Sequence, residues 1–180
     1  IQTTTPSNFK ATGSISKHPL ISSFVPELTD FNTINIDVNF DNTADESLTA
    51  SLKAPYIFYD SIAVQNVNFN LKTTASVANY TATINSIEMS SFRLRKASLV
   101  GDVTNNEAGF LFTVKDSLDK NVHGLAGNII AQPDFYQISM KSEGTRLYYQ
   151  PWQAKGSLDI YSEGIVAEEI RFFYQEQELA

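Results

Sequence analysis

The sequence predicts an all-β fold, an antiparallel meander of short strands. Two observations support this prediction: apolar and polar residues alternate in short runs, and polar turn residues separate the runs. Ile34, Ile36, Val38 and Phe40 alternate with Asn and Asp, the pattern of a strand that buries one face. The 12 Phe and 8 Tyr also favour strands.

The same alternation predicts further strands around residues 48–52, 57–71, 80–84, 92–94, 110–114, 125–129, 136–140, 158–160 and 170–174. Within 57–71 the apolar residues change from even-numbered to odd-numbered positions. A bulge near Gln65 and Asn66 is therefore expected to bring Val64 and Phe69 to one face. Pro55 is expected at a strand end or edge. Turns are expected at 41–42, 105–107, 116–121, 132–134, 143–144 and 163–164. Only residues 14–24 and the tail after 172 could hold a helical turn, and Pro19 and Pro26 interrupt the first of these, so little helix is expected.

Residues 1–30 are rich in Thr, Ser and Pro and are expected to form an irregular segment. Residues 31–180 are expected to form a single β-sheet domain, because no low-complexity linker interrupts them. The start at Ile1 rather than Met suggests a piece of a longer chain, with any targeting sequence upstream.

Composition narrows the classes of partner. The formal net charge is -7 and no basic run is present, so nucleic acid binding is not expected. The absence of cysteine rules out disulfides and cysteine metal ligands within these residues. The sequence contains no run of ~20 apolar residues, so it predicts no membrane-spanning helix.

The chain offers few groups for catalysis. Its two histidines, His18 and His123, are far apart and lie in no zinc-type spacing. The run 119–124 resembles the opening of a calcium loop, but Ile130 stands where the bidentate acid should be, so a polar hairpin turn over 116–121 is the better interpretation. The acid pairs Glu168 and Glu169, and Asp159 and Glu163, are expected in exposed edge or turn positions. We therefore predict no enzyme, no cofactor and no metal.

An aromatic cluster occurs at residues 147–152. Tyr148, Tyr149 and Trp152 form a possible platform that stacks on a sugar or binds lipid, and the alternative interpretation is that they close the end of a sheet by core packing.

Two segments of the sequence resemble those of a known family. Residues 54–59 read Ala-Pro-Tyr-Ile-Phe-Tyr and are followed at 62–67 by Ile-Ala-Val-Gln-Asn-Val. These phrases, with 149–152, Gly164-Ile165-Val166 and Ile170, are similar to segments of TamB-like proteins (translocation and assembly module) of the AsmA superfamily, particularly Bacteroidetes-type versions. The resemblance covers about residues 31–175 and rests on the arrangement of hydrophobic residues in these segments.

The resemblance implies a curved, open sheet, the β-taco or trough, whose apolar side holds phospholipid acyl chains. It implies a non-catalytic periplasmic segment for outer-membrane biogenesis and phospholipid transport between membranes, in a protein anchored to the inner or outer membrane through segments absent here. An outer-membrane β-barrel assembly protein is the implied partner, through regions outside this fragment. The expected lipid-binding apolar face consists of Ile36, Val38, Phe40, Val64, Phe69, Ile84, Leu94, Phe110, Phe112, Ile138 and Met140.

The same residues also describe the core of a closed β-sandwich. This alternative predicts an adhesion or carbohydrate-binding module with Tyr148, Tyr149 and Trp152 as its platform.

Overall fold

The computed structural model describes residues 7–175 and 177–179, and they form an antiparallel all-β structure with one short helix, α1 (Pro19–Phe24). Fourteen strands lie within these residues: β1 (Asn8–Ile15), β2 (Leu28–Phe31), β3 (Ile34–Asp41), β4 (Leu48–Tyr59), β5 (Ile62–Thr73), β6 (Ala78–Met89), β7 (Phe92–Thr104), β8 (Glu107–Lys115), β9 (Asn121–Ala131), β10 (Tyr136–Leu147), β11 (Gln150–Pro151), β12 (Gln153–Tyr161), β13 (Gly164–Tyr174) and β14 (Gln177–Leu179).

The chain packs as two compact units, Ile1–Lys96 and Ala97–Ala180. In the first unit the strands pair in the order β1-β3-β4-β5-β6, and β2 pairs with the far end of β4. In the second unit the end of β7 is followed by β8, β9, β10, β12, β13 and β14, and β11 pairs with β10.

Each unit is therefore one open meander, as the alternation predicted. Neighbouring strands are consecutive or nearly so in the chain, the arrangement that short hairpin connections produce. No described strand of either unit belongs to a second sheet, so the closed β-sandwich alternative is wrong. The boundary between the two compact units, at Lys96 and Ala97, falls within the expected domain over 31–180.

The expectation of an irregular segment over residues 1–30 is wrong for residues 8–15, 19–24 and 28–30, while residues 1–6 lie outside the described part. Strand β1 pairs with β3 along its whole length, with Phe9 opposite Phe40 and Ile15 opposite Ile34. Ala11 and Gly13 take the intervening positions of the same face, and such small residues give the alternation too little contrast to be recognised.

Helix α1 begins at Pro19, which the sequence had suggested would interrupt a helical turn. Proline fits the first helical position because its missing N–H has no intrahelical partner there. The Nδ1 atom of His18 caps the helix by accepting a hydrogen bond from the Leu20 N–H at 3.2 Å. The tail after 172 continues β13 and forms β14 instead of a helical turn. Among the described residues, no helix is long and apolar enough to span a membrane.

Two of the local expectations are corrected. The Glu143 and Gly144 pair lies inside β10 as a bulge, where the register with β9 shifts and Gly144 has a φ of +88°. Pro55 lies inside β4, which continues to Tyr59, because it stands opposite Asn66, whose left-handed backbone (φ 52°) interrupts the ladder.

Candidate functional site

Cross-strand register defines which side chains share a face. Residues directly opposite each other in an antiparallel pair point to the same side of the sheet, and residues two apart on one strand do so as well. The strand pairs therefore assign a face to most strand residues within each unit.

One face of the second unit is apolar. Its longest row runs from Val103 through Ala108, Ile129 and Ile138 to Leu158, each directly opposite the next. We call this surface the second-unit apolar face. Its apolar members, including those of the neighbouring rows, are Ala97, Leu99, Gly101, Val103, Ala108, Phe110, Phe112, Val114, Leu125, Gly127, Ile129, Ala131, Tyr136, Ile138, Met140, Leu158, Ile160, Ile165 and Ala167.

The opposite face of the same unit is mostly polar. It presents Ser98, Asp102, Thr104, Glu107, Thr113, Asn128, Gln137, Ser139, Lys141, Ser157, Asp159 and Glu168, with Val100, Leu111, Ile130 and Val166 as large aliphatic exceptions. Phe110, Phe112, Ile138 and Met140, all expected on the lipid-binding face, thus lie together on the apolar side.

The first unit has a comparable surface, the first-unit apolar face. Register places Ile36, Leu52, Phe69 and Ala82 in one row. The next row contains Val38, Ala50 and Leu71, and the row after it contains Phe40 and Leu48. Ile84 shares this side because it lies two residues from Ala82 on β6.

Val64 belongs to a different row, with Ile57 and Ile87 as its partners. The expected bulge near Gln65 is absent, because β5 keeps the same register with β4 and with β6 on both sides of Asn66. No extra residue therefore brings Val64 to the face of Phe69, and the left-handed Asn66 lies between the two. Leu94 precedes the left-handed Lys96 on β7 (φ 48°) and is half-buried.

The large apolar side chains of both faces are only half-covered. All eleven residues expected on the lipid-binding face are half-buried. The buried hydrophobic residues of the described chain are Phe31, Ala54, Ala97, Ala126, Trp152 and Ala154, four of them alanines. A sheet with no second layer within its unit leaves the outer part of each large side chain accessible, and contiguous apolar area of this kind marks binding surfaces.

The three residues of the predicted aromatic platform do not share one surface. Trp152 is only 9% exposed and stacks on Tyr174 with ring centroids 5.6 Å apart. Tyr148 is 76% exposed and meets the His123 ring edge-on at 4.9 Å. The alternative of core packing is correct for Trp152, whose indole cannot stack on a sugar from a buried position.

Tyr149 is tied to the turn that precedes β9. Its hydroxyl donates to Asp116 Oδ2 at 3.0 Å, while Asp116 Oδ1 accepts the N–H groups of Leu118 and Lys120 at 2.8 and 3.0 Å. The hydrogen bond from the Lys120 backbone, with that from Tyr149, lowers the pKa of Asp116 against the opposing effect of desolvation. The hydrogen bond to Asp116 raises the pKa of Tyr149. The polar hairpin turn expected over 116–121 is thus confirmed, with Asp116 organising its backbone.

The acidic candidates occupy two different environments. Asp159 is buried, contrary to the expectation, and its Oδ1 accepts a hydrogen bond from Gln137 Nε2 at 3.1 Å. Glu168 and Glu169 lie at a bulge opposite Gly156. In the part of the chain that the structure describes, no group of three or more His, Cys, Asp or Glu is placed to hold a metal ion.

The sequence prediction missed several members of the second-unit apolar face, among them Leu99, Leu125, Ile129 and Leu158. Each alternates with polar or small residues, but its membership depends on which residue of the neighbouring strand lies opposite it. Fixing hairpin register from the turn lengths would have found them, because a two-residue turn sets all later pairs of the hairpin.

Comparisons of this chain with protein families, with curated proteins and with solved structures find no match.

Proposed function

We propose that the apolar faces accommodate phospholipid acyl chains, and that the chain is a non-catalytic segment of a longer periplasmic protein that serves outer-membrane biogenesis and phospholipid transport between membranes. The single observation that supports this proposal is the second-unit apolar face. Its large side chains are in register over consecutive strands and are left half-exposed.

The energetics favour a hydrocarbon ligand. Each methylene removed from water contributes about 0.8 kcal/mol, so a chain of about sixteen carbons gains on the order of 12 kcal/mol when it is fully covered. A half-exposed Ile or Phe gains at the same time, because the ligand covers its remaining apolar area. A ligand held in this way needs no reactive group, only a continuous apolar surface.

The cellular setting of the proposal comes from the resemblance to TamB-like proteins. It places the segment in the periplasm, in a protein anchored to the inner or outer membrane through other segments. An outer-membrane β-barrel assembly protein is the proposed partner, and its contact would involve regions outside residues 1–180.

Native mass spectrometry of the chain purified from bacteria without detergent tests lipid binding. We expect adduct masses of phospholipids on the wild-type chain. Ile138→Asp should lower the phospholipid-bound fraction about tenfold or more, because acyl chains cannot solvate a carboxylate. The matched control is Ser139→Asp on the next residue of the same strand, which faces the polar side opposite Asn128 and Ser157.

The control variant should retain the wild-type bound fraction. Circular dichroism of both variants checks that the sheet is formed. A wild-type chain that carries no phospholipid, or equal losses in Ile138→Asp and Ser139→Asp, would contradict the proposal.

A further inference from the structure

The polar side of the first unit is an ordered array of amide, hydroxyl and ammonium groups. Strands β1, β3, β4, β5 and β6 each contribute one residue to each of three rows. We call this surface the polar grid. Its rows are Lys10-Asn39-Thr49-Lys72-Asn79, Thr12-Asp37-Ser51-Asn70-Thr81 and Ser14-Asn35-Lys53-Asn68-Thr83.

The charge of the polar grid is opposite to that of the chain. Its fifteen residues include three lysines and one aspartate, a formal charge of +2, whereas the whole chain carries -7. On the polar face of the second unit the acids Asp102, Glu107, Asp159 and Glu168 stand against Lys115, Lys141 and Arg146, a formal charge of -1. Because Lys72 is paired with Glu46, Lys10 and Lys53 are the cationic groups of the polar grid that are open to an anionic ligand.

The cationic groups of the polar grid are accessible. Lys10, Lys53 and Lys72 are all exposed. Lys72 forms an ion pair with Glu46 at 2.9 Å, while Lys10 and Lys53 have no ion-pair partner within residues 7–175. Asn35, Asn39 and Asn70 likewise make no side-chain hydrogen bond within that part of the chain, so their amides are available to a ligand.

Two depressions lie on the polar grid. One, of about 460 Å³, is lined by Thr12, Gly13, Ser14, Asn35, Asp37 and Lys53. The other, of about 140 Å³, includes Lys10, Asp37, Asn39, Ser51, Asn70 and Lys72 in its lining. Asp37 borders both, so the two depressions adjoin along the middle row, and each has at least one lysine in its wall.

We propose that the polar grid binds an acidic polysaccharide. Sugar hydroxyl groups both donate and accept hydrogen bonds, which suits a surface of Asn, Ser and Thr side chains. The acid groups of the polymer would be bound by Lys10 and Lys53, and Asp37 accepts from sugar hydroxyls between them. The ligand is a polysaccharide rather than a nucleic acid, because no member of the polar grid is aromatic and none offers a surface on which bases stack.

This site is independent of the lipid proposal. It lies on the side of the first-unit sheet opposite Ile36, Val38 and Phe69, and neither Tyr148, Tyr149 nor Trp152 takes part. Lipid binding and polysaccharide binding can therefore fail separately.

Calorimetric titration of the full chain at low ionic strength with polygalacturonate, a carboxylated polysaccharide, tests the site. Dextran serves as the neutral comparison, and single-stranded DNA and inorganic phosphate as the other anions. We expect binding of polygalacturonate alone, weakened by added salt because exposed charges are screened within about 10 Å at 0.1 M.

Lys53→Gln and Lys10→Gln should each weaken polygalacturonate binding about two- to fivefold, and the double variant about tenfold, as for exposed ion pairs. Lys141→Gln, on the polar face of the second unit, is the matched control and should bind like wild type. The proposal is overturned if polygalacturonate does not bind, if dextran, DNA or phosphate binds as tightly, or if Lys141→Gln weakens binding as much as Lys53→Gln.

Discussion

The aromatic ring of Phe110 occupies the space that a side chain at position 127 would need, and Gly127 is its directly opposite partner on β9. A Cβ atom at Gly127 would come within 2.6 Å of the Phe110 ring and would also meet the Ser139 carbonyl oxygen. An aromatic side chain that covers a glycine of the neighbouring strand protects the exposed backbone there. The Phe110 ring therefore lies close to the backbone of β9 on the second-unit apolar face.

Gly127→Ala should destabilise the chain by about 1–3 kcal/mol, because the added methyl group displaces the Phe110 ring and presses on β10. Urea denaturation measures the change in the free energy of unfolding. Gly13→Ala is the control, since a Cβ at Gly13 meets nothing within 4 Å. It should be neutral or stabilising by up to about 1 kcal/mol, because alanine loses less backbone entropy than glycine in a strand. Equal destabilisation by both variants would contradict this account of Phe110.

Trp152→Ala should cost about 3–5 kcal/mol of unfolding free energy, because it removes a buried indole and its stacking on Tyr174. Tyr148→Ala, at the exposed neighbouring turn, should cost about 1 kcal/mol or less, since only the edge contact with His123 is lost. Thermal unfolding of the two variants compares them directly. A larger effect at Tyr148 would mean that Trp152 is not part of the core.

Thr145→Val should destabilise the chain by about 1–2 kcal/mol although valine has the same shape, because the bulge in β10 loses a buried hydrogen bond. The Thr145 hydroxyl donates to the Lys141 carbonyl oxygen at 2.5 Å, and its side chain is fully buried. Thr104→Val at the half-exposed end of β7 is the comparison and should change the unfolding free energy by less than about 0.5 kcal/mol. Equal effects would show that the Thr145 hydrogen bond does not stabilise the bulge.

The turn organised by Asp116 should weaken in acid. Because the folded-state pKa of Asp116 is lowered below its ordinary value of 3.8, its stabilisation is complete above that value and is lost as the pH falls through the folded-state pKa. The difference in unfolding free energy between wild type and Asp116→Asn should therefore be largest near neutral pH and shrink below about pH 4. Ser117→Ala, in the same turn, has no titratable group and should differ from wild type by the same amount at every pH.

The alternation of apolar and polar residues was enough to predict β3, β5, β8 and the other long strands, because each has one covered and one solvated face. It could not reveal β1, where Ala11 and Gly13 replace large apolar residues and pairing with β3 determines the structure. It also could not distinguish a turn from a bulge at Gly144, because a glycine with positive φ serves either.

The candidate site was predicted in part for a similar reason. Phe110, Phe112, Ile138 and Met140 lie on one face because their strands are in register, and their spacing within each strand already indicated this. Val64 was assigned to the same face as Phe69 on the assumption of an inserted residue, whereas β5 has a left-handed Asn66 and no change of register. The burial of Trp152 depends on contacts with Tyr174, which is distant in the sequence, so composition alone could not predict it.

Photocrosslinking from two neighbouring positions of β5 tests the lipid proposal most directly. Phe69 lies on the first-unit apolar face, and Asn70 points to the polar side in the same strand. A benzophenone amino acid incorporated at position 69 in living bacteria should give phospholipid adducts on irradiation, and the same group at position 70 should give few or none. Equal adduct yields at both positions, or none at position 69 in the folded chain, would contradict the assignment of the apolar face as a lipid-binding surface.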